Sequence, residues 1–97
     1  MKAVRIFYGK ALLADGAVVE MTIWQLTRKT QERPHGSKYS LFCGYDGQRI
    51  VGYDNERDKG DHKHLGSLEF RHKFESVDKM IADFLHDVQR IQNEPQP

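Results

Sequence analysis

The 97-residue chain is long enough for one domain with a single modest core, and its 38% apolar and 30% charged residues fit a folded protein. Its formal net charge of +1 gives no general reason to expect nucleic acid as a partner, so such a case depends on local clusters of charge. The single cysteine, Cys43, excludes an intrachain disulfide, and no apolar run approaches the roughly 18 residues of a membrane span. We therefore predict a cytoplasmic protein without membrane contact, and we interpret Cys43 as a small core residue.

Two Asp-Gly pairs, Asp15-Gly16 and Asp46-Gly47, are strong signals for β-hairpins in the first half of the chain. The segments around them are rich in β-branched and aromatic residues, as strands are. Within the second strand, apolar and polar residues alternate, which favours a sheet with one buried face. The strands predicted in this half span residues 3–13, 17–27, 39–45 and 48–55.

The last third of the chain predicts one more strand and a helix. Residues 68–74 alternate cleanly, and His72 falls on their apolar face, where we expect a core histidine with satisfied hydrogen bonds and not a ligand. Ser76 is the predicted N-cap of a helix whose apolar residues form one stripe: Val77, Met80, Ile81, Phe84, Leu85, Val88 and Ile91. We predict an α+β fold, with about five antiparallel strands in a meander and one C-terminal amphipathic helix packed on a face. The single domain spans residues 1–92, and residues 93–97 form a disordered tail.

The most polar run in the chain, residues 53–64, follows an apolar strand and carries His62 and His64 at i, i+2 spacing. If this stretch is extended, both imidazoles point to the same side of the sheet. A solvated hairpin loop is the plainer interpretation. A turn does not require histidine, however, whereas proton transfer near neutral pH does.

These residue types fit RNA cleavage without a metal ion. One base takes the proton of the ribose 2′-hydroxyl, one acid protonates the leaving oxygen, and cations stabilise the phosphate. We predict His62 and His64 as the acid–base pair and Lys59 and Arg57 as phosphate contacts. Further predicted roles are orientation for Asp54, Asn55 and Asp61, base stacking or proton donation for Tyr53, and cationic contact for Lys63.

A second basic group lies in the loop of residues 28–38, where Arg28, Lys29 and Arg33 could steer a phosphate backbone. A solvated loop between strands is the competing interpretation.

Two other functions remain open. His62 and His64 with Asp54, Asp58 or Asp61 could bind zinc or manganese, although an H-x-H pair alone is a weak signal and we predict no cofactor. The chain could also be a non-catalytic module that binds RNA or a protein.

Three stretches resemble the TumE-type toxins of prokaryotic toxin–antitoxin systems: VVEMTIWQL after the first Asp-Gly turn, YDNERDKGDHKH, and DFLHDV in the helix. The most specific part is the pattern Y-D-N-x-x-x-K-G-D-H-x-H. The resemblance covers roughly residues 4–91 and implies a small cytoplasmic toxin that acts on RNA and is neutralised by a helix-turn-helix antitoxin. An exposed edge strand in so small a sheet could also pair with a second copy, giving a homodimer, or with an antitoxin segment.

Overall fold

The computed structural model describes residues 3–31, 33–55 and 60–93, in which six antiparallel strands are followed by one helix. Each strand pairs with its neighbours in sequence, so the order across the sheet is the order along the chain. This confirms the predicted α+β meander, with one strand more than the five expected. In chain order the elements are β1 Ala3–Leu12, β2 Val18–Leu26, β3 Ser37–Tyr45, β4 Gln48–Asp54, β5 His62–Leu65, β6 Leu68–Arg71 and α1 Val77–Gln92.

Both predicted Asp-Gly turns close hairpins. Asp46 and Gly47 have positive φ angles of 49° and 80°, which a two-residue type I′ turn requires at both central positions. In the first turn, Asp15 Oδ1 accepts a hydrogen bond of 3.0 Å from the backbone N–H of Ala17, and Gly16 has a φ of 91°. The short polar sequences therefore fix where β1 and β3 reverse direction.

The helix begins where the sequence predicts. Ser76 Oγ accepts a hydrogen bond of 3.1 Å from the backbone N–H of Lys79, which satisfies one of the free donors at the helix N-terminus. Met80, Phe84 and Val88 are buried at intervals of one turn, and this stripe packs on β4. In the described part of the chain, no helix combines the length and the apolar character that a membrane crossing needs.

The core lies between the helix and one face of the sheet. Its β-sheet side is formed mainly by side chains of β2, β3 and β4, and Phe84 fills its centre from the helix. Cys43 is fully buried in this core, and burial raises the pKa of its thiol. It is therefore the small core residue that the sequence predicted. The strand residues that belong to this core cluster are Val19, Ile23, Tyr39, Leu41, Cys43, Val51 and Tyr53.

Side chains of β4 and β5 alternate between two faces. Tyr53 and Lys63 point toward the helix, where both contact Asp87. Asp54 and His62, which are paired across the two strands, lie on the opposite face, called here the far face.

β6 is shorter than the predicted strand of residues 68–74 and ends at Arg71. Beyond it, the ring of His72 meets the ring of Tyr53 edge-on at 4.8 Å, and Phe74 stacks on His35 at 3.8 Å between centroids. The side chain of His72 is only 9% exposed, as expected of a core histidine, but its Nδ1 is buried without a hydrogen-bond partner among the described residues. The prediction that this histidine is satisfied is therefore wrong for that nitrogen.

The edge strand β1 carries several exposed apolar side chains. Val4, Ile6 and Leu12 expose 61%, 49% and 76% of their surface. The opposite edge, β6, is only four residues long and exposes Leu68 and Phe70. The edge formed by β1 is long and exposed, so its unpaired backbone groups could pair with a strand of another chain.

Candidate functional site

Three polar side chains meet on the far face of the sheet. Asp54, the last residue of β4, pairs with His62, the first residue of β5, and His64 follows two positions later. The rings of His62 and His64 lie 5.0 Å apart between centroids and are nearly perpendicular, at 82°. The strand alternation that predicts a shared side for the two imidazoles is therefore confirmed, and it brings Asp54 to the same place.

His62 is the most constrained member of this group. It is only 4% exposed, its Nδ1 lies 2.9 Å from the backbone oxygen of Gly60, and its Nε2 lies 2.5 Å from Asp54 Oδ1. Since a carbonyl oxygen can only accept, Nδ1 must carry a proton. Asp54 Oδ1 is buried and accepts no hydrogen bond of normal geometry from the described residues, because the close nitrogen is not aligned for one. Both nitrogens of His62 are thus turned toward fixed protein oxygens.

His64 is half-buried, and among the described residues none forms a hydrogen bond to its ring. Burial lowers the pKa of this imidazole below its usual value, and the nearby charges of Arg49 and His62 lower it further. The ring is therefore neutral at neutral pH and offers a nitrogen lone pair.

Arg49 adds a cation to the far face that the sequence analysis missed. Its Nη1 lies 4.0 Å from Asp54 Oδ2, and its side chain is 39% exposed. The side chain passes directly over Gly52, where a Cβ atom would come within 2.5 Å of Arg49 Cδ. A glycine inside a strand often marks a place where another group approaches the backbone closely. Gly52 was therefore the signal in the sequence from which a side chain on this face could have been predicted.

Asp54, His62 and His64 could also hold a metal ion. One ligand atom from each can be chosen so that all three lie within 4.8 Å of one another. Two imidazoles and one carboxylate are a donor set suited to zinc and to several other divalent transition metals.

Tyr53 and Lys63, which the sequence analysis grouped with the histidines, lie on the other face. The Tyr53 hydroxyl donates to Asp87 Oδ2 at 2.5 Å, and Lys63 Nζ lies 3.3 Å from the same oxygen. Tyr53 is only 1% exposed. The structure therefore separates these two side chains from His62 and His64, and it corrects their assignment to one site.

Asp61 binds a second histidine. It accepts a hydrogen bond of 2.6 Å from the Tyr39 hydroxyl and lies 3.0 Å from His35 Nε2. The backbone N–H of Ser37 donates to His35 Nδ1 at 3.1 Å, so the proton of a neutral His35 is on Nε2 and points at Asp61. Asp61 therefore fixes the loop against β3, and among the described residues it forms no hydrogen bond or ion pair with the far-face imidazoles that it was predicted to orient.

Asn55 also has a structural position. Its side chain accepts a hydrogen bond from the backbone N–H of Tyr39 at 3.1 Å and donates one to the backbone oxygen of Ser37 at 2.7 Å. Arg33 donates to the backbone oxygen of Asn55 at 3.0 Å. The side chain of Asn55 thus extends the hydrogen-bond pattern between β3 and β4 by one position. Arg33 holds the backbone of Asn55 in place through its own hydrogen bond.

The remaining predicted phosphate contacts divide into two groups. Arg28 and Lys29 are exposed in the loop between β2 and β3. Arg57 and Lys59 lie outside the described residues.

A family model described as "Toxin TumE" matches residues 4–92, which is nearly the whole chain. The chain belongs to the TumE toxin family. The resemblance seen in the sequence is thereby confirmed, and membership of the TumE family makes a cognate antitoxin the implied partner. No curated protein and no solved structure gives a significant match.

Proposed function

We propose that this TumE-family chain is a toxin that cleaves RNA, and that the reaction takes place at Asp54, His62 and His64. The single observation that carries the proposal is the meeting of these three side chains on the sheet face away from the helix. Arg49 stands beside them as an exposed cation, where a phosphodiester could be bound. Sites of this kind combine groups that move protons with groups that stabilise negative charge.

The sequence predicted cleavage without a metal ion, with His62 and His64 sharing the proton transfers. In such a route the ribose 2′-oxygen attacks phosphorus and the 5′-oxygen leaves. We assign acceptance of the 2′-proton to His64, and the support for this role is that its ring nitrogens form no hydrogen bond with the described residues. To donate the second proton, His62 would have to turn its Nε2 from Asp54 toward the leaving 5′-oxygen, because both of its nitrogens face protein oxygens in the structure.

A second candidate route uses a metal ion, and the close approach of three ligand atoms favours it. The ion would polarise the phosphate or activate the attacking oxygen. In both routes the same three side chains carry the function, so one set of variants tests the proposal.

The test compares His64→Ala with His86→Ala, which changes an exposed histidine of the helix. We expect induced wild type and His86→Ala to arrest growth and to cleave labelled RNA, and we expect His64→Ala to do neither while unfolding at an unchanged urea concentration. Full toxicity of His64→Ala would contradict the proposal. Toxic wild type that binds RNA without cleaving it would support the non-catalytic alternative instead.

A further inference from the structure

We propose that Asp54, His62 and His64 form a binding site for one divalent transition metal ion, with zinc as the first candidate. Binding of the ion does not depend on the proposed RNA cleavage, so the two proposals can fail separately. The site uses one oxygen ligand and two nitrogen ligands: Asp54 of β4, its cross-strand partner His62 of β5, and His64 two residues further along β5.

The orientation of His62 supports this site. Its Nδ1–H donates to the backbone oxygen of Gly60 at 2.9 Å. This hydrogen bond leaves the lone pair of the neutral ring on Nε2, which faces Asp54. Histidines that bind metals commonly donate their other ring N–H to a carbonyl or carboxylate in this way, and the hydrogen bond fixes both the tautomer and the ring orientation.

Asp54 supplies the strongest argument. Its Oδ1 lies 2.5 Å from His62 Nε2, yet it is buried and accepts no aligned hydrogen bond from the described residues. Two lone pairs repel each other at this distance, so either a proton on Nε2, which makes the contact an ion pair, or a metal ion bound by both atoms must relieve the repulsion. In the second case the two atoms would move apart to the spacing of about 3.3 Å that adjacent ligands of a tetrahedral ion have. A metal ion placed beside the pair, rather than on the line between them, would satisfy both atoms at once.

His64 completes the set of ligands. It follows His62 by two positions on the same strand, its ring is nearly perpendicular to that of His62, and it forms no hydrogen bond with the described residues. The nearby guanidinium of Arg49 approaches Asp54 through the other oxygen, Oδ2, at 4.0 Å. Arg49 therefore does not compete with an ion for Oδ1, and its guanidinium is close enough to contact an anion bound to that ion.

Three protein ligands leave at least one coordination position open. Structural zinc sites usually close all four positions with protein side chains, whereas sites that exchange a ligand keep one for water or substrate. The donor set thus predicts an ion that carries an exchangeable water and could take a phosphate oxygen in its place.

The experiment is a calorimetric titration of ZnCl₂ into full-length protein stripped with EDTA and then freed of the chelator. We expect one Zn²⁺ per wild-type chain. We expect Asp54→Asn and His64→Ala to bind at least about 100-fold more weakly, since loss even of a supporting partner commonly costs a metal site 10- to 100-fold in affinity. His86→Ala is the matched control and should bind as wild type does.

The variants test the site without requiring catalysis. Circular dichroism and urea unfolding will show whether Asp54→Asn and His64→Ala are folded, and the d–d absorption of Co²⁺ in place of Zn²⁺ reports the coordination number and geometry of the bound ion. Absence of binding by folded wild type would overturn the site. Retention of full affinity by both folded variants would also overturn it, because the ion would then be held elsewhere.

RNA cleavage provides a separate result. Protein that binds zinc at these three ligands but cleaves no RNA would overturn the proposed function and leave the metal site intact. Protein that cleaves RNA in EDTA and binds no zinc would overturn the metal site and leave the proposed function intact.

Discussion

The hydroxyl of Tyr53 donates a hydrogen bond of 2.5 Å to Asp87 Oδ2 across the interface between β4 and the helix. Tyr53 is 1% exposed and Asp87 is 6% exposed, so this bond is made away from water. Burial and the neighbouring carboxylate both raise the pKa of Tyr53 above its usual value, so the phenol stays protonated. The residue that the sequence suggested for proton donation or base stacking thus ties the helix to the sheet.

Tyr53→Phe should therefore lower the free energy of unfolding by about 1–3 kcal/mol, because it leaves the buried Asp87 carboxylate with one partner fewer. Urea denaturation measures this change. Tyr45→Phe is the matched control, since Tyr45 makes a hydrogen bond of the same kind to Asp15 at an exposed position and should lose less stability. A Tyr53→Phe protein of unchanged stability that no longer cleaved RNA would restore the catalytic assignment.

Asn55→Ala should lower the free energy of unfolding by about 1–3 kcal/mol, because it removes two buried hydrogen bonds to the backbone of β3. Hydrogen exchange gives a more local measurement, and the amide of Tyr39 should exchange faster in the variant. Ser40→Ala, an exposed change on the same strand, should leave both measurements close to wild type. Unchanged protection of the Tyr39 amide would show that the side chain of Asn55 does not hold this part of the ladder.

Two glycine substitutions on neighbouring strands should destabilise the fold to different extents. A Cβ atom at Gly44 would lie 2.3 Å from the backbone oxygen of Gln48, and backbone cannot move aside cheaply. Gly44→Ala should therefore destabilise the fold by about 1–3 kcal/mol or more. At Gly52 the obstructing atom is Arg49 Cδ, which belongs to a flexible and partly exposed side chain.

Gly52→Ala should therefore displace Arg49 with a smaller loss of stability than Gly44→Ala. Under the proposed function, it should also slow RNA cleavage, because the phosphate contact moves away from His64. Urea unfolding and the labelled-RNA assay measure the two effects, and Arg49→Ala gives the reference for complete loss of the guanidinium. Equal destabilisation by the two alanines, with normal cleavage by Gly52→Ala, would contradict this reading of the far face.

The buried position of His72 predicts a loss of stability in acid. Burial lowers the pKa of His72 below its usual value of 6.5, so below that value the unfolded chain binds more protons than the folded chain. The stability associated with neutral His72 is thus present above pH 6.5 and is lost as the pH falls through the lowered pKa. Among the charged groups near this ring, Asp83 and Asp61 oppose the shift, whereas Lys63 and Lys79 add to it.

Urea unfolding of wild type and His72→Gln at pH 7.5 and pH 5.5 tests this prediction. The loss of stability between the two pH values should be smaller in His72→Gln, because glutamine does not titrate. His86→Gln, at an exposed helix position, should retain the wild-type difference. An identical loss in wild type and His72→Gln would show that His72 does not contribute to the acid sensitivity.

Local patterns were sufficient for much of the fold. The Asp-Gly turns, the helix with its N-cap Ser76 and the shared side of His62 and His64 each depend on residues close in sequence. Strand alternation also places Lys63 opposite its two histidine neighbours. The sequence analysis grouped Lys63 with the histidines because of its charge, although strand alternation already places it on the other face.

The contacts that could not be predicted are those between distant residues. His35 meets Asp61 across 26 positions of sequence, and Tyr53 meets Asp87 across 34. No local pattern specifies which of several aspartates faces an imidazole. Consequently the sequence located the polar segment but could not show that Asp54 belongs to the far face while Asp61 belongs to the loop beside β3.

The order of the strands has a consequence for how the protein is made. Each strand can pair with the one synthesised just before it, so the sheet can grow as the chain leaves the ribosome. The helix that supplies Phe84 and Asp87 emerges after all six strands. A nascent chain would thus hold Asp54, His62 and His64 on paired strands before its core is closed, and the fold would become stable only once the helix has left the ribosome.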